Sequence, residues 1–270
     1  MASPVWADGT AYEAYVGRWS RLVAVDFLRW LDLPRGLRWL DVGSGTGVLT
    51  STVLTTAQPR QITGVDPSEG FVTQARAQVT DPRADFAVGD ARVLPLPDDA
   101  VDVVVSGLVL NFVPEPARAV ADFARVVNPG GAVAAYVWDY AEGMEMMRHF
   151  WDAASALEPA AAARDDGRGF SLCRPDVLQA LWRDAGLTDI SVRAIEVPTV
   201  FASFADYWTP FLGGQGSAPA YLASLAEPEQ AALRDLLAAR LPPGPDGSIQ
   251  LTARAWAVRG TRPTTGASST

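Results

Sequence analysis

The sequence has no lysine, and its 270 residues include one cysteine and one histidine. Without lysine the chain cannot carry a phosphate-binding P-loop, whose signature ends in Gly-Lys followed by Ser or Thr. Cys173 alone forms neither an internal disulfide nor a cysteine-rich metal cluster, and His149 alone forms no multi-histidine metal site. We therefore expect no metal site.

Basic residues are few, and long apolar runs are missing. Acidic residues outnumber basic ones by 31 to 22, which gives a formal net charge of −9 and an isoelectric point of about 4.6. A nucleic-acid partner would need a basic surface. No apolar run reaches the ~18 residues of a membrane span, and the N-terminus lacks the basic and apolar regions of a secretory signal. We expect a cytoplasmic protein without nucleic-acid or membrane partners.

What the sequence does contain is a glycine-rich turn between a strand, Trp39–Val42, and a helix, Val48–Thr56. Glycines at alternating positions let a backbone approach a ligand closely, and the free N–H groups of the new helix face the same space. The spacing is G-x-G-x-G, whereas the dinucleotide fingerprint is G-x-G-x-x-G. This difference favours a cofactor that has an adenosine but no phosphates. The turn consists of Gly43, Ser44, Gly45, Thr46 and Gly47.

Acidic residues end the next two predicted strands. Gln61–Asp66 reads as a strand, and Asp66 follows Gly43 by 23 residues, close to the ~20-residue offset at which an acid reaches ribose hydroxyls. Ala84–Val88 reads as a third strand, and Asp90 follows it. Either acid alone is equally typical of a helix cap or a solvated loop. Two of them after a glycine turn favour a nucleoside site.

The rest of the chain continues the alternation of strands and helices, which predicts an α/β fold. The β-branched run Val101–Val105 is typical of a parallel strand that is buried on both faces. The further predicted helices are Pro114–Val127, stopped by the sequence NPGG at 128–131, and Arg174–Ala185. The further predicted strands are Ala132–Trp138, Ile190–Val197 and Gln250–Val258.

Four segments occur together in an order and spacing that identify a resemblance. They are LDVGSGTG at 40–47, GVDPS at 64–68, GDARVLPLPDDAVDVVVSGLVLNFV at 89–113, and NPGG at 128–131. Over residues 38–138 the chain resembles the class I S-adenosylmethionine-dependent methyltransferases, particularly the small-molecule group that includes the ubiquinone-biosynthesis type. The resemblance implies a doubly wound, seven-stranded Rossmann-like sheet with its last strand antiparallel and with helical cap insertions. It also implies S-adenosylmethionine as cofactor and a small-molecule substrate.

The resemblance assigns roles to the residues of the first two segments. The glycine turn is expected to hold the methionine portion of the cofactor, with Asp41 organising its amino group. Asp66, which is followed by Pro67 and Ser68, is expected to bind the ribose hydroxyls.

The third segment carries further implied contacts. Asp90 is expected to accept a hydrogen bond from the adenine amino group, and the Ala91 backbone to meet the ring. Ser106 and Leu108 are expected to line the pocket near the sulfonium. Asn111 stands where relatives often carry histidine, which leaves the proton acceptor open.

The chain outside this region suggests segments that close the site. Residues 1–37 are expected to form helices that cover the cofactor, with Arg18 as a partner for its carboxylate. The insertions 139–173 and 198–248 are rich in aromatic residues, which either form the core of a cap or line an apolar pocket. Residues 259–270 are expected to be a flexible tail of a single domain, 1–270. The N-terminal aromatic residues that accompany Arg18 are Tyr12, Tyr15 and Trp19, and helix packing explains them equally well.

Several candidates for a general base follow the fifth strand. His149 has the most suitable ordinary pKa, although it is equally typical of the surface of a cap helix. The other candidates are Asp139, Tyr140 and Glu142.

Three functions fit this sequence. The favoured one is methyl transfer to an apolar or aromatic small molecule, as in secondary metabolism. An NAD(P)-dependent oxidoreductase is a second, disfavoured by the glycine spacing. A member of the same fold that binds S-adenosylmethionine without methylating is a third.

Overall fold

The computed structural model describes residues 17–213 and 216–264, apart from the side chains of residues 166 and 168. Within these residues seven strands form one sheet in the order β3-β2-β1-β4-β5-β7-β6. Strands β1 to β5 are parallel, and the last strand is antiparallel, which confirms the predicted fold class. The strands are β1 Arg38–Val42, β2 Gln61–Asp66, β3 Ala84–Val88, β4 Val101–Gly107, β5 Val127–Trp138, β6 Thr188–Phe201 and β7 Ile249–Thr261.

Helices connect most of the strands along the chain, although β4 follows β3 without one. Helix α2 (Val48–Thr56) and strands β2 and β3 have the bounds predicted from the sequence, whereas β6 and β7 each extend beyond theirs at both ends. None of the helices in the described part of the chain is long and apolar enough to cross a membrane. The helices are α1 Arg18–Leu31, α2 Val48–Thr56, α3 Glu69–Gln78, α4 Pro116–Val126, α5 Glu145–Leu157, α6 Pro175–Asp184, α7 Phe204–Trp208, α8 Ser217–Ser224 and α9 Glu227–Arg240.

The described residues divide into two compact units. The sheet unit consists of residues 20–137, 171–195 and 255–264. The insertion unit consists of residues 17–19, 138–170, 196–213 and 216–254, and it contains most of both predicted insertions. The assignment of 1–270 to a single domain with cap segments stays a prediction.

The sheet unit is built around strands that are buried on both faces. Val103, Val104 and Val105 in the middle of β4 are fully buried, as expected of a parallel strand between two helical layers. The Trp182 indole N–H donates a hydrogen bond to the Val133 carbonyl oxygen at 3.0 Å, so this large side chain enters the core without an unpaired polar atom.

The insertion unit has its own aromatic core. The rings of Phe150 and Phe211 are stacked with centroids 4.6 Å apart, and the Trp151 and Tyr221 rings lie 5.5 Å apart. Tyr207 is fully buried, and its hydroxyl donates a hydrogen bond to the Met146 carbonyl at 2.9 Å. These aromatic side chains therefore pack on one another, which is the first of the two alternatives for them.

The prediction that the sequence NPGG separates a helix from a strand is wrong. Strand β5 begins at Val127 and runs through these residues. Val101 pairs with Val127 and Val103 with Ala132, so β5 bulges opposite β4. The bulge is fixed from the other side, because Gly130 N–H donates to the Arg262 carbonyl at 2.8 Å and Arg262 N–H to the Gly131 carbonyl at 2.9 Å.

The backbone contacts of Arg262 also order part of the segment that the sequence predicts to be a flexible C-terminal tail. The sequence predicts a flexible segment from Arg259, but β7 extends to Thr261, and the Arg262 guanidinium pairs with Asp99. Only residues 265–270 of that segment lie outside the described residues.

Gly131→Ala tests the bulge. A Cβ at this position would lie 2.6 Å from the Asp102 carbonyl oxygen and 2.9 Å from that of Asn128, and backbone atoms cannot move away cheaply. We expect denaturant unfolding to show a loss of about 2 kcal/mol in the free energy of unfolding. Gly70→Ala in α3 is the control, because its Cβ meets no atom closer than 3.7 Å. An equal effect of the two substitutions would contradict this account.

Candidate functional site

The glycine turn between β1 and α2 has a backbone that only glycine adopts readily. The φ angles of Gly43, Gly45 and Gly47 are +75°, +51° and +89°. A Cβ on Gly43 would lie 2.5 Å from Val109 Cγ1, so packing also requires glycine there. A Cβ on Gly45 would meet no heavy atom of the described residues within 4 Å. At Gly45, therefore, the backbone can be approached by a ligand.

Asp66, at the end of β2, fixes this turn. One of its carboxylate oxygens accepts the Gly45 N–H and the other the Ser68 N–H, both at 2.9 Å. Ser68 Oγ in turn accepts the Phe71 N–H at the start of α3. Burial raises the pKa of Asp66, and the two backbone hydrogen bonds oppose that rise. Each oxygen keeps a second lone pair for a hydroxyl donor.

Asp41 is a fully buried carboxyl group with an unused oxygen. Its Oδ2 accepts a hydrogen bond from the Thr50 hydroxyl at 2.7 Å, whereas Oδ1 has no partner among the described residues. Burial raises its pKa to about 7, the Thr50 hydrogen bond lowers it, and the nearby charge of Asp66 raises it further. A buried acceptor of this kind calls for a donor from a ligand.

Other buried polar atoms in the sheet unit lack partners within the described part of the chain. They include the hydroxyl of Ser44 in the glycine turn, the hydroxyl of Ser106 near the end of β4, and both amide atoms of Asn111; the Trp39 indole N–H in β1 is another. Such atoms are uncommon in native proteins. Those of Ser44, Ser106 and Asn111 lie at or just after the carboxyl ends of the neighbouring strands β1 and β4, the edge at which open α/β sheets bind ligands. The set contains both donors and acceptors, as a ligand with amino, carboxylate and hydroxyl groups requires.

Leu108, predicted to line the site, follows β4 with a strained backbone. Its φ is +62°, a left-handed conformation that is rare for a bulky residue, and its N–H donates to the Tyr136 carbonyl at 2.7 Å. Strain of this kind is concentrated at functional sites. The sequence does not predict this backbone conformation, because position 108 is leucine, whereas a left-handed conformation favours glycine.

Asp90 follows β3 as expected, but its carboxylate is already occupied by an arginine. Both oxygens accept hydrogen bonds from the Arg92 guanidinium, whose presence lowers the pKa of Asp90 to about 2. Ala91 between them is buried. The sequence analysis missed Arg92 and also Thr50. Arg92 could have been predicted from the pattern Asp-x-Arg, and Thr50 from its place as a polar residue on an otherwise apolar face of α2.

Thr46 and Pro67 lie in the sheet unit, and the other predicted residues that the structure describes belong to the insertion unit. Arg18 pairs with Asp206 at 3.0 Å, and its guanidinium lies 4.2 Å from the centre of the Trp19 ring. Asp139 pairs with Arg254 at 3.3 Å. His149 is half-buried on α5. The proposed roles of Arg18, Trp19 and His149 stay predictions, and Tyr12 and Tyr15 lie outside the described residues.

Comparison with known proteins identifies the domain. Residues 40–135, all within the sheet unit, match the family model described as a methyltransferase domain. Residues 40–135 form a class I methyltransferase domain. Over 116 residues the chain is 34% identical to 2-methyl-6-phytyl-1,4-hydroquinone methyltransferase 2 of Oryza sativa, a match that covers 43% of this chain and 33% of that protein. Over 103 residues it is 37% identical to phosphatidylethanolamine N-methyltransferase of Cereibacter sphaeroides, covering 37% and 49%.

This chain therefore spans a third to a half of the length of these two curated relatives. Among solved structures, phosphoethanolamine N-methyltransferase 2 of Haemonchus contortus in complex with S-adenosyl-L-methionine has a TM-score of 0.57 at 18% identity. That match covers 94% of this chain and 56% of the other, and it concerns the fold.

The pH dependence of stability tests the state of Asp41. Because its pKa lies well above the ordinary 3.8, its contribution is fully present below about pH 4 and is lost as the pH rises through about 7. Asp41→Asn keeps an acceptor for Thr50 and removes the ionisation. We expect the free energy of unfolding of the wild type to fall by about 2 kcal/mol relative to the variant between about pH 5.5 and about pH 7.5. A difference that stays constant over this range in denaturant titrations would contradict the prediction.

Proposed function

We propose that this protein transfers a methyl group from S-adenosylmethionine to a small molecule of apolar or aromatic character. The observation that carries the proposal is the group of unpartnered buried polar atoms beside the glycine turn, with Asp41 Oδ1 as its most buried member. A fold without a ligand gains nothing from such atoms, because each one costs free energy while it is unpaired.

The residues of the sheet unit fit the chemical groups of the cofactor. Asp41 would accept hydrogen bonds from the amino group of the methionine portion, and the backbone at Gly45 would lie along that portion. Asp66 would accept hydrogen bonds from the ribose hydroxyls with its remaining lone pairs. When bound, S-adenosylmethionine supplies a methyl group on a positively charged sulfur.

The composition of the chain and the names of two relatives support the proposed substrate class. The insertion unit is rich in aromatic and methionine side chains, and the domain carries no surplus of basic residues that would attract an anionic polymer. The rice relative is named for a phytyl hydroquinone, and the Cereibacter relative for phosphatidylethanolamine. Both names describe acceptors that join a polar reacting group to a large apolar part.

The acceleration that this chain itself provides would come from positioning and from the exclusion of water. An acceptor with a high pKa also needs a base, and we propose His149 for that role. Unchanged turnover in a His149→Gln variant would assign the base elsewhere.

A methyl-transfer assay tests the proposed function. The purified protein is incubated with S-adenosylmethionine that carries a labelled methyl group and with fractionated extract rich in apolar metabolites. We expect label in one organic-soluble product, and at least a tenfold loss of it in Asp66→Ala, because the ribose contacts are charge-assisted. Asp81→Ala is the matched control, since Asp81 is another aspartate that accepts backbone and arginine hydrogen bonds, ahead of β3.

The alternatives predict different results. Tight binding of S-adenosylhomocysteine without transfer to any fraction would favour a member of the fold that does not methylate. Binding of NADH in place of S-adenosylhomocysteine would favour an oxidoreductase. Either result would overturn the proposal.

A further inference from the structure

The same arrangement occurs at both ends of β3: an aspartate carboxylate accepts hydrogen bonds from the backbone and the guanidinium of the arginine two residues later. We call this arrangement a clasp. In front of the strand, the Asp81 carboxylate accepts hydrogen bonds from Arg83 Nε at 3.0 Å, Nη2 at 2.7 Å and the backbone N–H at 2.9 Å. Behind the strand, the Asp90 carboxylate accepts the corresponding bonds from Arg92 at 3.0, 2.6 and 2.8 Å. The two clasps are therefore nearly identical in geometry and differ in their place in the fold.

Only the second clasp lies at the carboxyl end of a parallel strand, where the cofactor site is. It is tied to Asp66 through the backbone, because Gly89 N–H donates to the Asp66 carbonyl at 3.1 Å. It also has an additional partner. Arg92 Nη1 donates to a carboxylate oxygen of Glu115 at 3.2 Å, so the guanidinium is held from two sides.

The clasp leaves the Asp90 carboxylate with a defined remaining capacity. Oδ1 accepts the backbone N–H and Nε of Arg92, which occupies both of its lone pairs. Oδ2 accepts Nη2 at 2.6 Å, with Nε more distant at 3.2 Å. Nε has a single hydrogen, which is shared between the two oxygens with the shorter contact to Oδ1. Among the described residues, the second lone pair of Oδ2 therefore has only this longer contact, and it is the one that a ligand donor could use. An unclasped carboxylate would rotate and could accept in several directions.

We propose that Arg92 is a positioning residue that fixes the Asp90 carboxylate so that a single oxygen lone pair faces the exocyclic amino group of the cofactor's adenine. Glu115 supports Arg92 in this role. The inference rests on the proposed function and adds the residue that determines recognition of the base. A fixed acceptor discriminates against a base that carries a carbonyl in place of the amino group, because two acceptors then face each other.

The test compares two ligands by calorimetric titration. One is S-adenosylhomocysteine, and the other is its deaminated analogue, in which a hypoxanthine carbonyl replaces the adenine amino group. We expect the wild type to bind the first about ten- to a hundredfold more tightly than the second. In Arg92→Gln this ratio should fall to about threefold or less, mainly through weaker binding of S-adenosylhomocysteine. A purely structural role for Arg92 would weaken both ligands equally and leave the ratio unchanged.

Arg83→Gln is the matched control, because it removes the other clasp, and its ratio should equal that of the wild type. If Arg92→Gln does not fold, Arg92→Lys replaces it, since lysine keeps the charge but loses the two-point contact. An unchanged ratio in a folded Arg92 variant would overturn the inference while leaving the proposed function intact. Failure of the wild type to bind either ligand would overturn the proposed function and this inference with it.

Discussion

The contact on which the site depends is that of the Asp66 carboxylate with two backbone N–H groups. One of them belongs to Gly45 in the turn after β1, and the other to Ser68 at the start of α3. Consecutive strand–helix connections are thereby fixed to a single side chain at the carboxyl edge of the sheet. The glycine turn keeps its left-handed backbone and the start of α3 keeps its cap, because both are tied to the same two oxygens. Nearby, Asp41 is buried so completely that its ionisation is opposed.

This arrangement lowers the stability of the folded protein compared with an apolar interior at the same positions. Asp41, Ser44, Ser106 and Asn111 all leave polar atoms unpaired in the interior of the described chain, and Leu108 is held in a strained backbone conformation. Departures from the ordinary rules of folding are expected where a ligand supplies the missing partners. We propose that the unpaired atoms at the ends of β1 and β4 are the ones that a bound cofactor would pair.

The parts of the fold that depend on local sequence were predictable. The glycine spacing predicts a turn at Gly43 to Gly47 between a strand and a helix, and the sequence predicts β2 and β3 with their observed bounds. The bulge at residues 128–131 was not predictable, because the local sequence alone resembles a turn and Arg262, which pairs with Gly130 and Gly131 just after β7, lies 132 and 131 residues further along the chain. The occupied state of Asp90 was missed for a different reason. Its partner is only two residues away. The pattern Asp-x-Arg does not show, however, whether the pair is an ordinary surface ion pair or lies beside a ligand site, because that depends on where the strand ends.

Less of the insertion unit could be predicted from the sequence. Composition leaves open whether its aromatic residues form a core or line an apolar pocket, and in the structure the rings of Phe150 and Phe211 stack on each other. Which acceptor this unit selects depends on side-chain positions that composition does not determine. The sheet unit, in contrast, derives its cofactor chemistry from backbone turns and from strand ends, both of which are encoded locally.

The measurement that tests the central claim most directly is a crystal structure of the protein with S-adenosylhomocysteine. The account predicts that the ribose hydroxyls donate to the Asp66 carboxylate while the Gly45 and Ser68 hydrogen bonds persist, and that the amino group of the homocysteine portion reaches Asp41 Oδ1. A ligand bound away from the carboxyl ends of β1 and β2, or a ribose without contact to Asp66, would contradict it.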